Sequence, residues 1–147
     1  MEKRAQKRDW ESKTLERLAQ FRYEVRTFLR FSEQAARAAG VTPQQHQLML
    51  GVAGFTGRRW ASISELAEFL QERHNAVVEL VNRAARAGLV QRSPSARDRR
   101  VVRVELTSRG RASLMKLAAE HRQELQRIRE RGSGAFVPRF IKEARNR

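Results

Sequence analysis

One short run constrains the fold more than any other. From Val101 to Leu106 the chain alternates, with Val102, Val104 and Leu106 facing one way and Val101, Arg103 and Glu105 the other. That two-residue period belongs to a half-buried strand. Most other apolar residues recur at steps of three and four, the helical period. A chain patterned this way is mainly α with a small β-hairpin wing. Leu89 to Ser93 supplies the second strand, and Pro94 to Arg100 a polar connection between the two.

The helices have legible ends. A long first helix over roughly Trp10 to Ala39 carries one apolar stripe of Leu18, Phe21, Val25, Phe28, Ser32, Ala35 and Ala39, and Gly40 stops it. Thr42-Pro43-Gln44-Gln45 combines an N-cap, a proline at the first helical position and a capping-box glutamine, so a second helix begins at Pro43. Gly51, Gly54 and Gly57 weaken its end. Trp60 to Ile63 is too short to stand alone as a strand, but Ser62 or Ser64 can cap a brief helix from Glu65 to about Gln71. Glu72-Arg73-His74 reads as a turn. The next helix, Asn75 to Ala87, buries Val77, Leu80, Val81 and Ala84 and stops at Gly88, with apolar Leu89 beyond as a Schellman ending prefers. Thr107 caps a final helix running to about Arg131, and Phe136, Phe140 and Ile141 follow in an apolar tail.

Short helix, turn, second helix and hairpin is the order of a winged helix-turn-helix. In such a fold the major groove of DNA admits one helix, the preceding helix steadies it, and the hairpin reaches the neighbouring minor groove. Asn75 to Ala87 is then the recognition helix. Its outward and N-terminal residues Arg73, His74, Asn75, Ala76, Val78, Glu79 and Arg83, with Ser64 on the helix before, are candidate contacts. Arg73 suits a guanine edge. Asn75 suits adenine or simply caps the helix, and His74 suits a phosphate or sits as a plain turn residue. Arg83 and Arg86 suit phosphates or an ion pair with Glu79.

The wing carries the stronger signal. Its tip crowds Arg97, Arg99 and Arg100 around one acid, Asp98, where a hairpin ordinarily places Gly, Asn or Asp. Three guanidiniums so close repel one another unless an anion is present, with Asp98 expected to steer an arginine side chain. The net charge of +15 agrees but says less, because a genome rich in G and C also raises arginine usage.

Other classes fare poorly. Cysteine is absent, aspartate occurs only at Asp9 and Asp98, and His46, His74 and His121 fall on separate helices. No nucleophile, metal set or cofactor motif emerges, so the chain is read as no enzyme, with no metal and no cofactor. The N-terminal residues lack the apolar run of a secretory signal, so a cytoplasmic location is expected, with no membrane partner.

Three stretches in order resemble the MarR family of bacterial transcription regulators. They are Ile63-Ser64-Glu65-Leu66-Ala67; Val77-Val78-Glu79-Leu80-Val81-Asn82-Arg83 with Ala87-Gly88-Leu89-Val90; and Asp98-Arg99-Arg100 with Val104-Glu105-Leu106-Thr107-Ser108-Arg109-Gly110. The resemblance covers about Val41 to Leu125. It implies a homodimer on a pseudo-palindromic double-stranded DNA operator, usually a repressor released by a small aromatic or anionic effector, and puts the wing Asp-x-Arg on Asp98 and Arg100. It also implies a division into an N-terminal dimerisation helix (1–40), a DNA-binding lobe (41–107) and a C-terminal dimerisation helix with tail (108–147). Leu18, Phe21, Val25, Leu117, His121, Leu125, Ile128, Phe136 and Phe140 are then the candidate dimer residues, and Trp10, Arg30, His46 and Trp60 candidate walls of an effector site. The competing reading is an architectural protein that coats nucleic acid by charge, indifferent to sequence.

Overall fold

The structure, a computed structural model, describes the backbone of residues 2–131 and the side chains from residue 6 onward. Helix α1 (Glu2–Ala38) leads to α2 (Pro43–Leu50), a π-helical turn (Gly51–Phe55), β1 (Trp60–Ser62), α3 (Ile63–Leu70), α4 (His74–Arg86), β2 (Val90–Pro94), β3 (Val102–Leu106) and α5 (Ser108–Glu130). The fold is a mainly helical winged helix-turn-helix, whose wing belongs to a three-stranded antiparallel sheet in the order β1-β3-β2. The chain forms two compact units, one made of Met1–Ser32 with Glu120–Arg147 and the other of Glu33–Ala119. Phe136 and Phe140, expected at a dimer contact, lie outside the described residues.

Local chemistry sets most boundaries in the second unit. Thr42 and Gln45 form the reciprocal capping box of α2, with Pro43 at its start. Ser62 and Glu65 do the same for α3. Helix α4 closes in a complete Schellman arrangement: Gly88 has φ 73°, its N–H donates to the Ala85 carbonyl, and the Leu89 N–H donates to the Ala84 carbonyl. Leu89 then turns into the core. Thr107 uses one hydroxyl twice, donating to the Gly88 carbonyl at 2.6 Å and accepting the Gly110 N–H at 3.0 Å, so it caps α5 and ties it to the end of α4.

The core of this unit gathers Leu48, Met49 and Val52 from α2 and the π-helical turn, Leu66 from α3, Val77, Val81 and Ala84 from α4, and Ala61 and Val104 from the sheet. Two differences from the sequence reading have physical causes. Trp60–Ser62 does form a strand, because β3 supplies its partner residues Glu105, Val104 and Arg103 more than forty positions away. Val102 is 38% exposed although it shares a face with buried Val104, since it lies toward the wing tip, beyond β1 and the helices that cover its neighbour.

In the first unit, His121 Nε2 and Ser32 Oγ share a hydrogen bond at 2.8 Å, and the imidazole meets Phe28 and Phe31 edge-on, at centroid distances of 5.7 and 5.3 Å. Leu125 and Ile128 are buried there. In the other unit Leu117 is fully buried by the chain's own atoms. That corrects its expected role: a side chain with no exposed surface in one copy has none to offer a second. Leu18 and Phe21, by contrast, are 55% and 41% exposed.

Candidate nucleic-acid interface

Three elements converge on one concave surface. The start of α3, the start of α4 and the wing line a cavity of about 280 Å³ formed by Ser62, Ile63, Ser64, His74, Val78, Arg100, Val101 and Val102. Four of the residues singled out from the sequence, Ser64, His74, Val78 and Arg100, therefore meet here. Arg73, Asn75, Ala76, Glu79 and Arg83 are exposed around α4, and Arg97, Asp98 and Arg99 are exposed at the wing tip.

The chemistry of this surface suits an anion. Helix α4 begins one residue earlier than the sequence suggests: Arg73 is the N-cap residue, extended at φ −70° and ψ 145°, and makes no side-chain cap hydrogen bond. Asn75 therefore is not the cap, and His74 is the first residue of the helix rather than part of a turn. The leading N–H groups of α4 are left without a side-chain acceptor, beside the positive end of the helix dipole, with an imidazole and the Arg100 guanidinium near by. Such an arrangement receives phosphate oxygens readily.

The wing tip is built by backbone hydrogen bonds. Ser95 N–H donates to the Val101 carbonyl at 2.8 Å, and Val101 N–H to the Asp98 carbonyl at 3.0 Å. Asp98 Oδ1 accepts the backbone N–H of Arg100 at 2.9 Å. This corrects the role expected of Asp98: it shapes the turn instead of holding an arginine side chain, as an Asx turn does. Its carboxylate is occupied locally, and Arg97, Arg99 and Arg100 extend free of ion pairs among the described residues. Nor does Glu79 pair with Arg83 or Arg86 there. The partner that Asn82 of α4 finds instead is Arg92 of β2, at 2.7 Å.

The opposite face of the sheet carries a feature that residue spacing did not reveal. The guanidiniums of Arg58 and Arg103 lie 4.0 and 4.3 Å from the centre of the Trp60 ring. Arg58 also pairs with Glu65, which accepts the Ser62 N–H. Burial pushes the Glu65 carboxyl up, but the Ser62 N–H and hydroxyl and the Arg58 guanidinium outweigh it and hold it below the usual carboxylate range. Trp60 thus packs against two cations within the sheet that carries the wing. Of the other residues suggested for an effector wall, Trp10 and Arg30 are exposed on α1, and His46 is buried in α2. Among the described residues no cluster of three His, Cys, Asp or Glu side chains could hold a metal ion, and no helix is long and apolar enough to cross a membrane.

Helix pair, recognition-type helix and arginine-tipped wing together define a winged-helix protein of the kind built around a nucleic-acid groove. Residues 39–101, which hold α2, α3, α4 and β2, match the MarR family model, and the fold is similar to that of MarR family regulators. A crystal structure of a MarR family transcription regulator is similar over 91% of this chain and 87% of its own, with a TM-score of 0.71 and 24% identity. A Staphylococcus aureus MepR variant bound to an oligodeoxyribonucleotide is similar over 78% and 83%, with a TM-score of 0.63 and 18% identity. An Escherichia coli MarR variant complexed with operator DNA is similar over 76% and 79%, with a TM-score of 0.60 and 22% identity. No curated protein sequence matches the chain.

Proposed function

We propose that this chain is a sequence-specific, double-stranded DNA-binding transcription regulator that works as a homodimer, as a repressor released by a small aromatic or anionic effector. The observation that carries the reading is the convergence of Ser64, His74, Val78 and Arg100 on one cavity, between the start of α4 and the wing. In this reading α4 enters a major groove with Arg73, His74, Asn75, Ala76 and Glu79 nearest the bases, while Arg83 and Ser64 meet the backbone. Arg97, Arg99 and Arg100, on a turn shaped by Asp98, reach the adjacent minor groove. Residues 41–107 form the DNA-binding lobe. Residues 1–40 and 108–147 join two copies, and the exposed apolar side chains of α1 support that assignment. The protein acts in the cytoplasm, as a regulator and without catalysis.

The DNA complexes of two structural relatives support the choice of partner. A competition titration tests it. Duplex selected from a random library should be bound on the order of 10³-fold or more tighter than random duplex at physiological salt. A ratio near one would instead establish a sequence-indifferent architectural protein.

A further inference from the structure

The Asn82–Arg92 hydrogen bond joins the recognition-type helix to the wing, and among the described residues it is the one side-chain hydrogen bond that does so. Arg92 pairs with Val104 across β2 and β3, so its side chain leaves the sheet on the face of buried Val104, toward α4. An exposed bond of this kind adds little to folding stability. What it does is orient: Arg92 Nη1 is held by the Asn82 side-chain oxygen, and the rest of the guanidinium stays available.

That guanidinium borders a groove of about 300 Å³ lined by Arg92, Ser93, Pro94, Arg99 and Val102. Two arginines and no carboxylate line it, so the like charges lack a counter-charge until an anion enters. We propose that Asn82 and Arg92 are a positioning pair, in which Asn82 fixes Arg92 to seat a DNA phosphate beside Arg99 and thereby sets the wing relative to α4. The proposal rests on the DNA-binding reading above and adds Arg92 as a backbone contact and Asn82 as the residue that acts through it.

A double-mutant cycle on the selected duplex separates the two ideas. Arg92→Ala should weaken binding about tenfold and lower the slope of log affinity against log salt by about one. Asn82→Ala should also weaken binding severalfold in the wild-type background, yet do nothing further in the Arg92→Ala background. Both variants should melt at the wild-type temperature, which separates positioning from loss of fold. Arg92→Lys keeps the charge without the planar fork. It should retain the wild-type salt slope while binding more weakly than wild type. Additive losses in the cycle, or full wild-type affinity for Arg92→Lys, would overturn the positioning pair while leaving the regulator reading intact. A wild-type chain that fails to prefer the selected duplex overturns both.

Discussion

At the scale of single residues, Gly110 and Glu65 show how much one side chain decides. A Cβ on Gly110 would lie 1.9 Å from the Leu89 carbonyl oxygen, a clash with backbone that cannot swing aside. Gly110→Ala should therefore destabilise the fold by about 2–3 kcal/mol in denaturant unfolding. Nothing lies within 4 Å of a Cβ on Gly54, so Gly54→Ala should leave stability unchanged or raise it slightly. Glu65 makes a pH prediction. Its folded carboxyl titrates below its unfolded value, so its contribution is complete above the unfolded pKa and is lost as pH falls through the folded one. Glu65→Gln should flatten the acid limb of the stability profile and leave the neutral region of the curve parallel to wild type. The sequence displays the Ser62–Glu65 box that holds this carboxylate. It does not display Arg58, seven residues away, because that pairing depends on the path of the chain through β1.

At the scale of elements, what the sequence makes legible is what neighbours in sequence determine. Both capping boxes, the Gly88 stop and the Thr107 cap involve residues at most six apart, and all appear where the pattern places them. Non-local pairing is harder to read. Strand β1 exists because Ala61 faces Val104, and three residues carry no period of their own. The start of α4 eluded the pattern for another reason: Asn75 is a strong capping type, yet Arg73 already has extended dihedrals and the helix begins at His74. The wing tip shows the same limit, since Asp98 beside three arginines reads as an ion pair until the backbone N–H of Arg100 is seen to claim it. Thr107 offers the test at this scale, because its hydroxyl joins the ends of α4 and α5. Thr107→Ala removes both hydrogen bonds and should cost about 2 kcal/mol, while Thr107→Ser should recover most of that in the same unfolding measurement.

At the scale of the whole molecule, the charge of +15 and the apolar surface of α1 make separate demands. Arginine and lysine are spread over nearly every segment, so total charge predicts attraction to any polyanion and says nothing of where contact occurs. The proposed wing contact does say where. Replacing Arg99 and Arg100 together with Ala should lower the salt slope by about two, whereas two arginines removed from the exposed side of α1, such as Arg22 and Arg26, should leave it unchanged. Helix α1 has the other role, since Leu15, Leu18, Phe21 and Leu29 all stay exposed on it in the single chain. In the proposed homodimer a second copy covers this surface. Leu18→Asp with Phe21→Asp should therefore give a folded monomer by analytical ultracentrifugation, with wild-type helical content and weak affinity for the two-half-site duplex but ordinary affinity for a single half-site. Leu117→Ala is the contrasting variant: its side chain is fully buried in its own copy, so it should lower unfolding stability by about 3 kcal/mol without a comparable change in the dimer dissociation constant. If the Asp pair instead remained dimeric, the copies would have to meet elsewhere, and the exposed stripe of α1 would need another partner.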